Sequence, residues 1–482
     1  MGSGVRVGLA SATFEDLGVL YVSGQGDAAR QKVHDPLHVR AAAFVDASGR
    51  PSGVLVTGDV MDWHETRAPC RLARRRIAEQ HGVEPERISF IASHTHSAAY
   101  PRSDRQRQQF AERVCGVVGE ALAAARPVEV GYGQVDLGPG AVFNRRVVID
   151  EDYGAHCLMF NPGLSFRQDG TVEATAQLRR FVEDECGGRW SECGASRRGE
   201  NLADGPTDPY LHLIVFREPA GRVLGGFVRM SGHAVIVSTY WTRDTVSAGY
   251  PGVLCRRLEQ ALGGPFLFLQ GLSGDLRPFH VRNDFEACEA FGGRMAAAAE
   301  GAARKLDFAP LADVAVVRRG LRLPIHPDTR PSPEESARSA AELKARAEQN
   351  KARGGPGWQT KRLMDKAAFH RMSGEFYEGG FLEPGRLAEG MEVELAAWRI
   401  GPAVVLSLPG EHFTRTGHFI IAGARPRLRG RLVVCSCGTD SREYMPPREE
   451  MMLGGYEAVT SAVAPGAAEM LARAAIETVN AL

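Results

Sequence analysis

The sequence of 482 residues contains no long apolar run and no recognisable leader segment. No stretch approaches the roughly 18 consecutive apolar residues that a membrane-spanning helix needs. Residues 1–14 also lack the apolar core of a secretory signal peptide. From these absences we expect a cytoplasmic protein with no membrane span.

An excess of charge of either sign is also absent, because Lys and Arg together number 58 and Asp and Glu together number 58. Nucleic-acid-binding arms and polybasic membrane patches depend on blocks of like charge, and no block is long enough for either role. We therefore expect a small-molecule substrate and no nucleic-acid partner. Self-association into a homo-oligomer stays open.

Cysteine is scattered, and no Cys-x-x-Cys pair occurs among the nine cysteines. The odd number and the wide spacing argue against both a disulfide framework and a thiolate zinc site. Cys435 and Cys437 are close enough for a redox pair, but we favour the interpretation that they are two residues on one face of a strand. The sequence leaves their role open.

Apolar strand-like runs alternate with helical patterns through most of the chain, which predicts an α/β protein that we treat as one domain over residues 1–482. The pattern dissolves in residues 149–205, interpreted as a loop excursion around a pocket. Residues 332–378 predict a helical hairpin, since a Ser332 capping box with Pro333 at the first helical position opens its first helix. We expect this hairpin to be a surface insertion, either a lid or an oligomer contact.

Polar residues follow three apolar strands that are far apart in the sequence. His94 and His96 come after residues 87–92, His233 after a strand that ends at Met230, and Glu411 after a strand that ends at Leu408. Ser103 and Asp104 are expected to cap the helix that follows the two histidines. Open α/β sheets bind ligands at the carboxyl ends of strands.

Two histidines and one carboxylate are a familiar catalytic zinc set that leaves a position open for water. No His-Glu-x-x-His helix, Gly-x-Ser-x-Gly elbow or phosphate-binding Gly-Lys-Ser/Thr loop competes with it. Loop histidines satisfied by backbone carbonyls are the alternative. We expect His94 and His96 to have different tasks, one as a metal ligand and the other in the lining of the pocket.

An ordered series of short stretches resembles the catalytic domain of the neutral ceramidase family. These stretches are His34-Asp35-Pro36-Leu37, Ser93-His94-Thr95-His96-Ser97, Asn144-Arg145, Asp208-Pro209, Gly232-His233, Gln270-Gly271 with Gly274-Asp275, Pro409-Gly410-Glu411, and Tyr444 through Gly454-Gly455-Tyr456-Glu457. Each stretch is short, but together they span most of the chain in the order of the family.

The resemblance implies layered mixed β-sheets flanked by helices, with the hairpin as an insertion, and a zinc-dependent amide hydrolase that uses metal-activated water as nucleophile. It implies that the metal ligands are His94, His233, Glu411 and Tyr444. It also implies that three residues surround the scissile amide, namely His96, Arg145 and Tyr456. Zinc is the expected cofactor.

The sequence also departs from the family. It ends soon after Glu457, so we expect no C-terminal immunoglobulin-like domain, and Ser97-Ala98-Ala99, Met230-Ser231 and Gly249 differ from the family beside the inferred pocket. We therefore expect cleavage of a small N-acyl metabolite instead of a membrane lipid. The alternatives are another hydrolysis or an acyl transfer in a biosynthetic pathway, and a catalytically inactive binding homologue, which the intact ligands disfavour.

Overall fold

The structure is a computed structural model that describes residues 4–22, 26–27, 31–138, 140–158, 176–197, 205–280, 282–439 and 443–482. Its strands are β1 (Arg6–Thr13), β2 (Val19–Val22), β3 (Gly26–Asp27), β4 (Lys32–Val33), β5 (His38–Val45), β6 (Pro51–Gly58), β7 (Ile88–Ala92), β8 (Ala99–Tyr100), β9 (Arg126–Pro127), β10 (Glu129–Asp136), β11 (Val142–Asn144), β12 (Arg146–Asp150), β13 (Gly154–Cys157), β14 (Tyr210–Arg217), β15 (Val223–Met230), β16 (Thr245–Val246), β17 (Phe266–Gln270), β18 (Leu276–Pro278), β19 (Phe308–Pro310), β20 (Val314–Leu323), β21 (Met391–Ile400), β22 (Ala403–Ser407), β23 (Glu411–His412), β24 (Leu432–Cys435) and β25 (Tyr444–Met445).

The α-helices are α1 (Cys70–His81), α2 (Asp104–Ala123), α3 (Ala176–Arg180), α4 (Gly194–Arg197), α5 (Thr239–Thr242), α6 (Gly249–Leu262), α7 (Phe285–Ala303), α8 (Pro333–Ala352), α9 (Gly357–Glu378), α10 (Thr414–Gly423), α11 (Pro426–Arg429), α12 (Arg448–Met452), α13 (Tyr456–Val459) and α14 (Ala467–Asn480). A π-helical segment covers Phe181–Glu185. Short 3₁₀ segments cover Glu15–Leu17, Pro85–Arg87, Trp190–Glu192 and Leu387–Glu389. Within the described ranges, no helix combines the length and apolar character needed to cross a membrane.

Three mixed sheets form the frame of the fold. The first has the strand order β7-β6-β5-β1-β9, the second β17-β15-β14-β10-β19, and the third β20-β21-β22-β24. Most neighbours are antiparallel, but each sheet has one parallel pair at an edge, which is β6 with β7, β15 with β17, and β22 with β24. The prediction of an α/β fold with mixed sheets flanked by helices is confirmed.

The three sheets share an apolar core, and each sheet has helices on its other face. Leu55 of the first sheet, Phe216 of the second and Trp398 of the third belong to one buried cluster. Separate clusters join the first sheet to α1 and α2, the second to α6 and α7, and the third to α10 and α14. The layers follow from strands that bury apolar residues on both faces, as strands of covered sheets do.

Several helix boundaries predicted from the sequence are confirmed. Ser103 and Gln106 form a capping box at the start of α2, and Ser332 caps α8, with Pro333 at its first position. The predicted hairpin is formed by α8 and α9. Helix α9 ends at Glu378, and its last turns bury Phe376 in the core of the third sheet.

The predicted loop excursion over residues 149–205 contains local structure where it is described. Strand β13, helices α3 and α4 and the π-helical segment lie in it. Ile149, Val182, Cys186 and Cys193 are buried in a small apolar cluster of their own. Residues 159–175 and 198–204 of the predicted excursion lie outside the described residues. The sequence pattern of this stretch therefore did not indicate the short helices and the strand that pack together there.

Because all three sheets share one core, a substitution at the centre of that core should strongly lower the stability of the protein. Trp398 is fully buried, its ring lies 5.9 Å from that of Phe44, and its Nε1 donates to Ser89 Oγ at 2.9 Å. We expect Trp398→Ala to lower the free energy of unfolding by about 3–5 kcal/mol, from lost burial and a residual cavity. Urea unfolding followed by circular dichroism measures this change.

Met470→Ala serves as the control, because the Met470 side chain is 47% exposed. Its effect should stay within about 0.5 kcal/mol. Equal unfolding midpoints for the two variants would show that Trp398 does not support the shared core.

Candidate metal centre

The parallel strand pairs of the three sheets direct their carboxyl ends to one region. His94 follows β7, His233 follows β15, and Glu411 lies four residues beyond the end of β22. A strand end is the place where a chain that has buried apolar residues can expose polar groups to a ligand without breaking the sheet. This rule predicts that the three residues meet, and His94 Nε2 lies 3.1 Å from His233 Nε2 and 3.2 Å from Glu411 Oε2.

The backbone leaves the extended conformation immediately after β7. Ser93 and His94 donate their N–H groups to the carbonyls of Gly58 and Val60, both at 2.9 Å. His94 has φ 62°, a left-handed conformation that non-glycine residues seldom adopt. Although the chain is not extended here, the side chains of His94 and His96 reach the same place.

Three imidazole nitrogens converge at the centre of the site. The Nε2 atoms of His94 and His233 are 3.1 Å apart, those of His96 and His233 are 2.9 Å apart, and those of His94 and His96 are 3.4 Å apart. His94 and His233 are buried and His96 is partly exposed. The group has the composition and spacing of a metal-binding cluster.

The protonation of two of these rings follows from the contacts of their Nδ1 atoms with backbone carbonyls. His94 Nδ1 lies 2.7 Å from Met61 O, and His233 Nδ1 lies 3.2 Å from Ser273 O. A carbonyl oxygen only accepts hydrogen bonds, so each Nδ1 carries the hydrogen and, in the neutral ring, each Nε2 presents a lone pair. Two lone pairs facing each other at 3.1 Å repel unless a proton or a metal cation lies between them. Nδ1 donation to a carbonyl is also the usual second contact of a metal-binding histidine.

Glu411 adds a negative charge to the cluster. Its Oε2 is buried, lacks a hydrogen bond, and lies 3.2 Å from His94 Nε2 and 3.4 Å from His233 Nδ1. A buried carboxylate oxygen with no hydrogen-bond donor is costly. A cation between this oxygen and the Nε2 atoms of His94 and His233 would remove that cost.

The pKa directions in the cluster differ from ring to ring. Burial disfavours the charged form of His94, but the neighbouring Cys437 and Glu411 outweigh burial and raise the pKa of His94 well above its ordinary value. Burial, together with the positive charges of Arg145 and His94, lowers the pKa of His233 well below its usual range. Burial and His94 lower the pKa of His96 in the same way. The protein alone therefore favours one cationic ring and two neutral ones.

The donor set fits a tetrahedral cation. Zinc–nitrogen distances of about 2.0–2.1 Å and tetrahedral angles place two ligand nitrogens roughly 3.3 Å apart. The observed separations of 2.9–3.4 Å bracket this value. Imidazole nitrogens and a carboxylate oxygen are suitable donors for such an ion.

Tyr444 lies at the edge of the cluster and is held by an arginine. It pairs in register with Glu411 in the parallel β23–β25 ladder, and its ring lies parallel to that of His233, with centroids 6.3 Å apart. Arg145 Nη2 donates to the Tyr444 phenol oxygen at 2.9 Å. Burial raises the pKa of Tyr444 well above its usual value, against the opposing effect of Arg145. The Tyr456 ring lies 5.7 Å from the Tyr444 ring.

All seven residues selected from the sequence thus lie in one region, but three further residues were not selected. Glu457 is fully buried and forms ion pairs with Arg145 (2.9 Å) and Arg146 (2.7 Å). Asp275 accepts from Thr414 N at 2.8 Å, and burial raises the pKa of Asp275 to about 6. Glu457 follows Tyr456 directly, and that adjacency to a selected residue was the available signal.

Cys437 is the third residue beside the cluster that was not predicted from the sequence to belong to the site. Strand β24 ends at Cys435, and Cys437 lies beyond it with φ 53°. The interpretation of both cysteines as residues of one strand is therefore wrong. Burial raises the pKa of the Cys437 thiol, and the adjacent His94 opposes this.

Comparisons with known proteins agree with the fold. No protein-family model matches the sequence, and no curated protein matches it. A crystal structure of neutral ceramidase from Pseudomonas aeruginosa matches with a TM-score of 0.65 and 16% identity, over 100% of this chain and 75% of that chain. A structure described as ceramidase complexed with C2 matches with a TM-score of 0.65 and 17% identity over the same shares. The protein has a ceramidase-like fold.

The cluster predicts that the purified protein binds about one divalent ion per chain. His94→Ala and His233→Ala should each lower the metal content, because each removes a nitrogen whose lone pair faces the cluster. Elemental analysis after dialysis measures the stoichiometry. His418→Ala, at an exposed position in α10, should keep the wild-type content. Full metal content in both cluster variants would rule this site out.

Proposed function

We propose that the protein is a zinc-dependent hydrolase that cleaves the amide bond of a small N-acyl metabolite. The observation that carries the proposal is the convergence of the His94, His96 and His233 Nε2 atoms beside the buried Glu411 carboxylate. Histidine and carboxylate donors in an enzyme cleft are typical of catalytic zinc. The ceramidase-like fold supports amide hydrolysis, because ceramide is itself an N-acyl amine.

Among the clustered groups, we assign His94, His233, Glu411 and Tyr444 as the zinc ligands. The contacts of the three Nδ1 atoms support a different role for His96. Its Nδ1 makes no hydrogen bond to any described residue and its side chain is partly exposed, whereas His94 and His233 are buried and anchored to carbonyls. An unanchored, accessible imidazole is suited to meeting substrate. We therefore assign His96 to the pocket.

When bound by His94, His233, Glu411 and Tyr444, zinc would polarise an amide carbonyl and lower the pKa of a water molecule to roughly 7. His96 accepts a proton at Nε2 from the attacking water and returns it to the leaving amine. Tyr456 donates its phenol hydrogen to the amide oxygen as negative charge develops there, a contact typically worth about 3–4 kcal/mol.

Arg145 acts in this proposal through Tyr444 and not directly on the substrate. Its Nη2 donates to both Tyr444 Oη and Gly274 O, and its Nε pairs with Glu457. An arginine remains protonated at any physiological pH, so it favours negative charge on the Tyr444 oxygen. That oxygen then becomes a better donor to a metal ion.

We infer that the substrate is a soluble N-acyl amine, since residues of the pocket wall beside the cluster differ from the family pattern. Ala98 and Ala99 are buried next to the histidine segment. A Cβ atom on Gly249 would lie 3.4 Å from Thr95 Oγ1, so Gly249 borders the same segment. Small residues at these positions support a pocket of altered shape.

The assignment predicts that substitutions of zinc ligands and substitutions of pocket residues have different effects on zinc affinity and on kcat. His96→Ala and Tyr456→Phe should retain zinc and lower kcat by roughly 10²-fold or more, the scale of a lost proton-transfer group or oxyanion donor. Tyr444→Phe should weaken zinc affinity as well as the rate. Zinc titration and steady-state kinetics on each variant measure both quantities.

His233→Ala provides the reference for a lost ligand. If His96→Ala releases zinc to the same extent, His96 is a ligand and the assignment is reversed. Equal zinc affinity and equal kcat for Tyr444→Phe and Tyr456→Phe would contradict distinct roles for the tyrosines.

The substrate assignment predicts faster turnover of soluble N-acyl amines than of long-chain ceramide in detergent micelles. A series of N-acyl amines of increasing acyl length, assayed for amine release, gives kcat/KM for each member. We expect the best soluble substrate to exceed ceramide by at least about 10-fold, which is the discrimination from roughly 1.4 kcal/mol of transition-state binding. Comparable values would instead make lipid the substrate.

A further inference from the structure

The inner helix of the hairpin, α9, is attached to the loops behind the metal centre. Arg362 donates from its guanidinium to three backbone carbonyls, which are Asp152 O at 3.0 Å, Glu151 O at 3.0 Å and Met452 O at 3.2 Å. The first two belong to the turn between β12 and β13, and the third lies at the end of α12. One side chain thus joins the hairpin to two separate turns. A planar guanidinium is suited to this because its donors point in fixed directions.

A second contact lies one turn further along α9. Lys361 is buried, and its Nζ pairs with Asp365 Oδ2 at 2.6 Å. The same oxygen accepts the Gly455 N–H at 3.4 Å. The buried lysine fixes the carboxylate, because leaving either charge unpaired in the interior is costly. Asp365 is thereby held against the Gly454–Gly455 turn.

The Gly454–Gly455 turn has little freedom to adopt another position. Gly454 has φ 70° and Gly455 has φ 84°, a region open to glycine at low cost. A Cβ atom on Gly454 would lie 2.8 Å from Asp365 Oδ2, and one on Gly455 would lie 2.8 Å from Ala155 O. Arg146 holds the other side of the turn by donating to Gly454 O at 2.9 Å. The turn is therefore held by contacts with α9 on one side and with Arg146 on the other.

The turn leads directly into the residues at the metal centre. Tyr456 and Glu457 begin α13. Glu457 pairs with Arg145, which in turn donates to the Tyr444 phenol oxygen. A continuous series of contacts thus runs from Asp365 on the hairpin to Tyr444 beside His233. Displacement of the turn would move Tyr456 and remove the support of Arg145.

We propose that Arg362 and Asp365 are positioning residues that clamp the Gly454–Gly455 turn and so hold Tyr456 and Arg145 in place for the reaction. This inference rests on the proposed amidase function for its kinetic consequences. It gives the hairpin a role beyond a lid or an oligomer contact, because α9 is a fixed support of the site. The clamp itself is a property of the fold and can be measured without activity.

The first test measures backbone protection. Arg362→Ala is compared with Arg371→Ala, which removes an exposed arginine that pairs with Glu375 on the same helix and is joined to no loop among the described residues. Hydrogen exchange with mass spectrometry should show amides of residues 452–457 exchanging about 10-fold faster or more in Arg362→Ala, and unchanged in Arg371→Ala. Equal protection in the two variants would overturn the clamp. If Arg362→Ala does not fold, Arg362→Lys, which cannot reach three carbonyls at once, is compared in the same way.

The second test asks whether the clamp acts through Tyr456. With zinc content matched and assays run well below each unfolding temperature, Arg362→Ala should lower kcat by about 10-fold while Arg371→Ala leaves it unchanged. In a Tyr456→Phe background, Arg362→Ala should have a much smaller effect on kcat, since the residue it positions is already disabled. Asp365→Asn keeps an oxygen for the Gly455 N–H and should retain more activity than Asp365→Ala.

The outcomes separate the clamp from the proposed function. Faster exchange with unchanged kcat, or fully independent effects of Arg362→Ala and Tyr456→Phe, would overturn positioning and leave a structural role only. If the wild-type protein hydrolyses no amide, the proposed function fails and the exchange experiment alone decides the clamp. Faster exchange then supports it, and unchanged exchange overturns it.

Discussion

Imidazole nitrogens that face each other beside a buried carboxylate oxygen define the central constraint of this protein, because their lone pairs repel unless a proton or a metal cation lies between them. In water such groups would separate, but here backbone carbonyls of Met61 and Ser273 fix the rings. The interior strengthens both the repulsion between the nitrogens and their attraction to a cation. The left-handed backbone at His94 costs about 1–3 kcal/mol, and this cost is tolerated where it brings His94 and His96 to the same point.

The fold satisfies this constraint through its three sheets. Each sheet is mostly antiparallel, yet each has one parallel pair, and those pairs end around the cluster. The shared core behind them, centred on residues such as Trp398 and Phe216, holds the strand ends in register. Residues as distant in the sequence as His94 and Glu411 therefore meet, with 3.2 Å between His94 Nε2 and Glu411 Oε2, because each follows a buried strand.

A second layer of charge surrounds the cluster. Arg145 and Arg146 share Glu457, and all three side chains are almost fully buried. Buried ion pairs contribute little net stability, since desolvation of the charges offsets their attraction, but removal of one partner is strongly destabilising. Their value here is geometric. They connect Tyr444 to the Gly454–Gly455 turn, and the hairpin helix supports the far side of that turn.

The sequence by itself determined the α/β class, the caps of α2 and α8, and the strand-end positions of His94, His233 and Glu411. These features depend on residues that are close in the chain, where periodicity and capping chemistry act. Only the tertiary structure decided that His96 points with His94, that Glu457 bridges two arginines, that Cys437 lies beside His94, and that α9 grips the Gly454–Gly455 turn. Each of these depends on backbone dihedral angles or contacts set by packing between segments distant in sequence, which no local pattern of residues encodes.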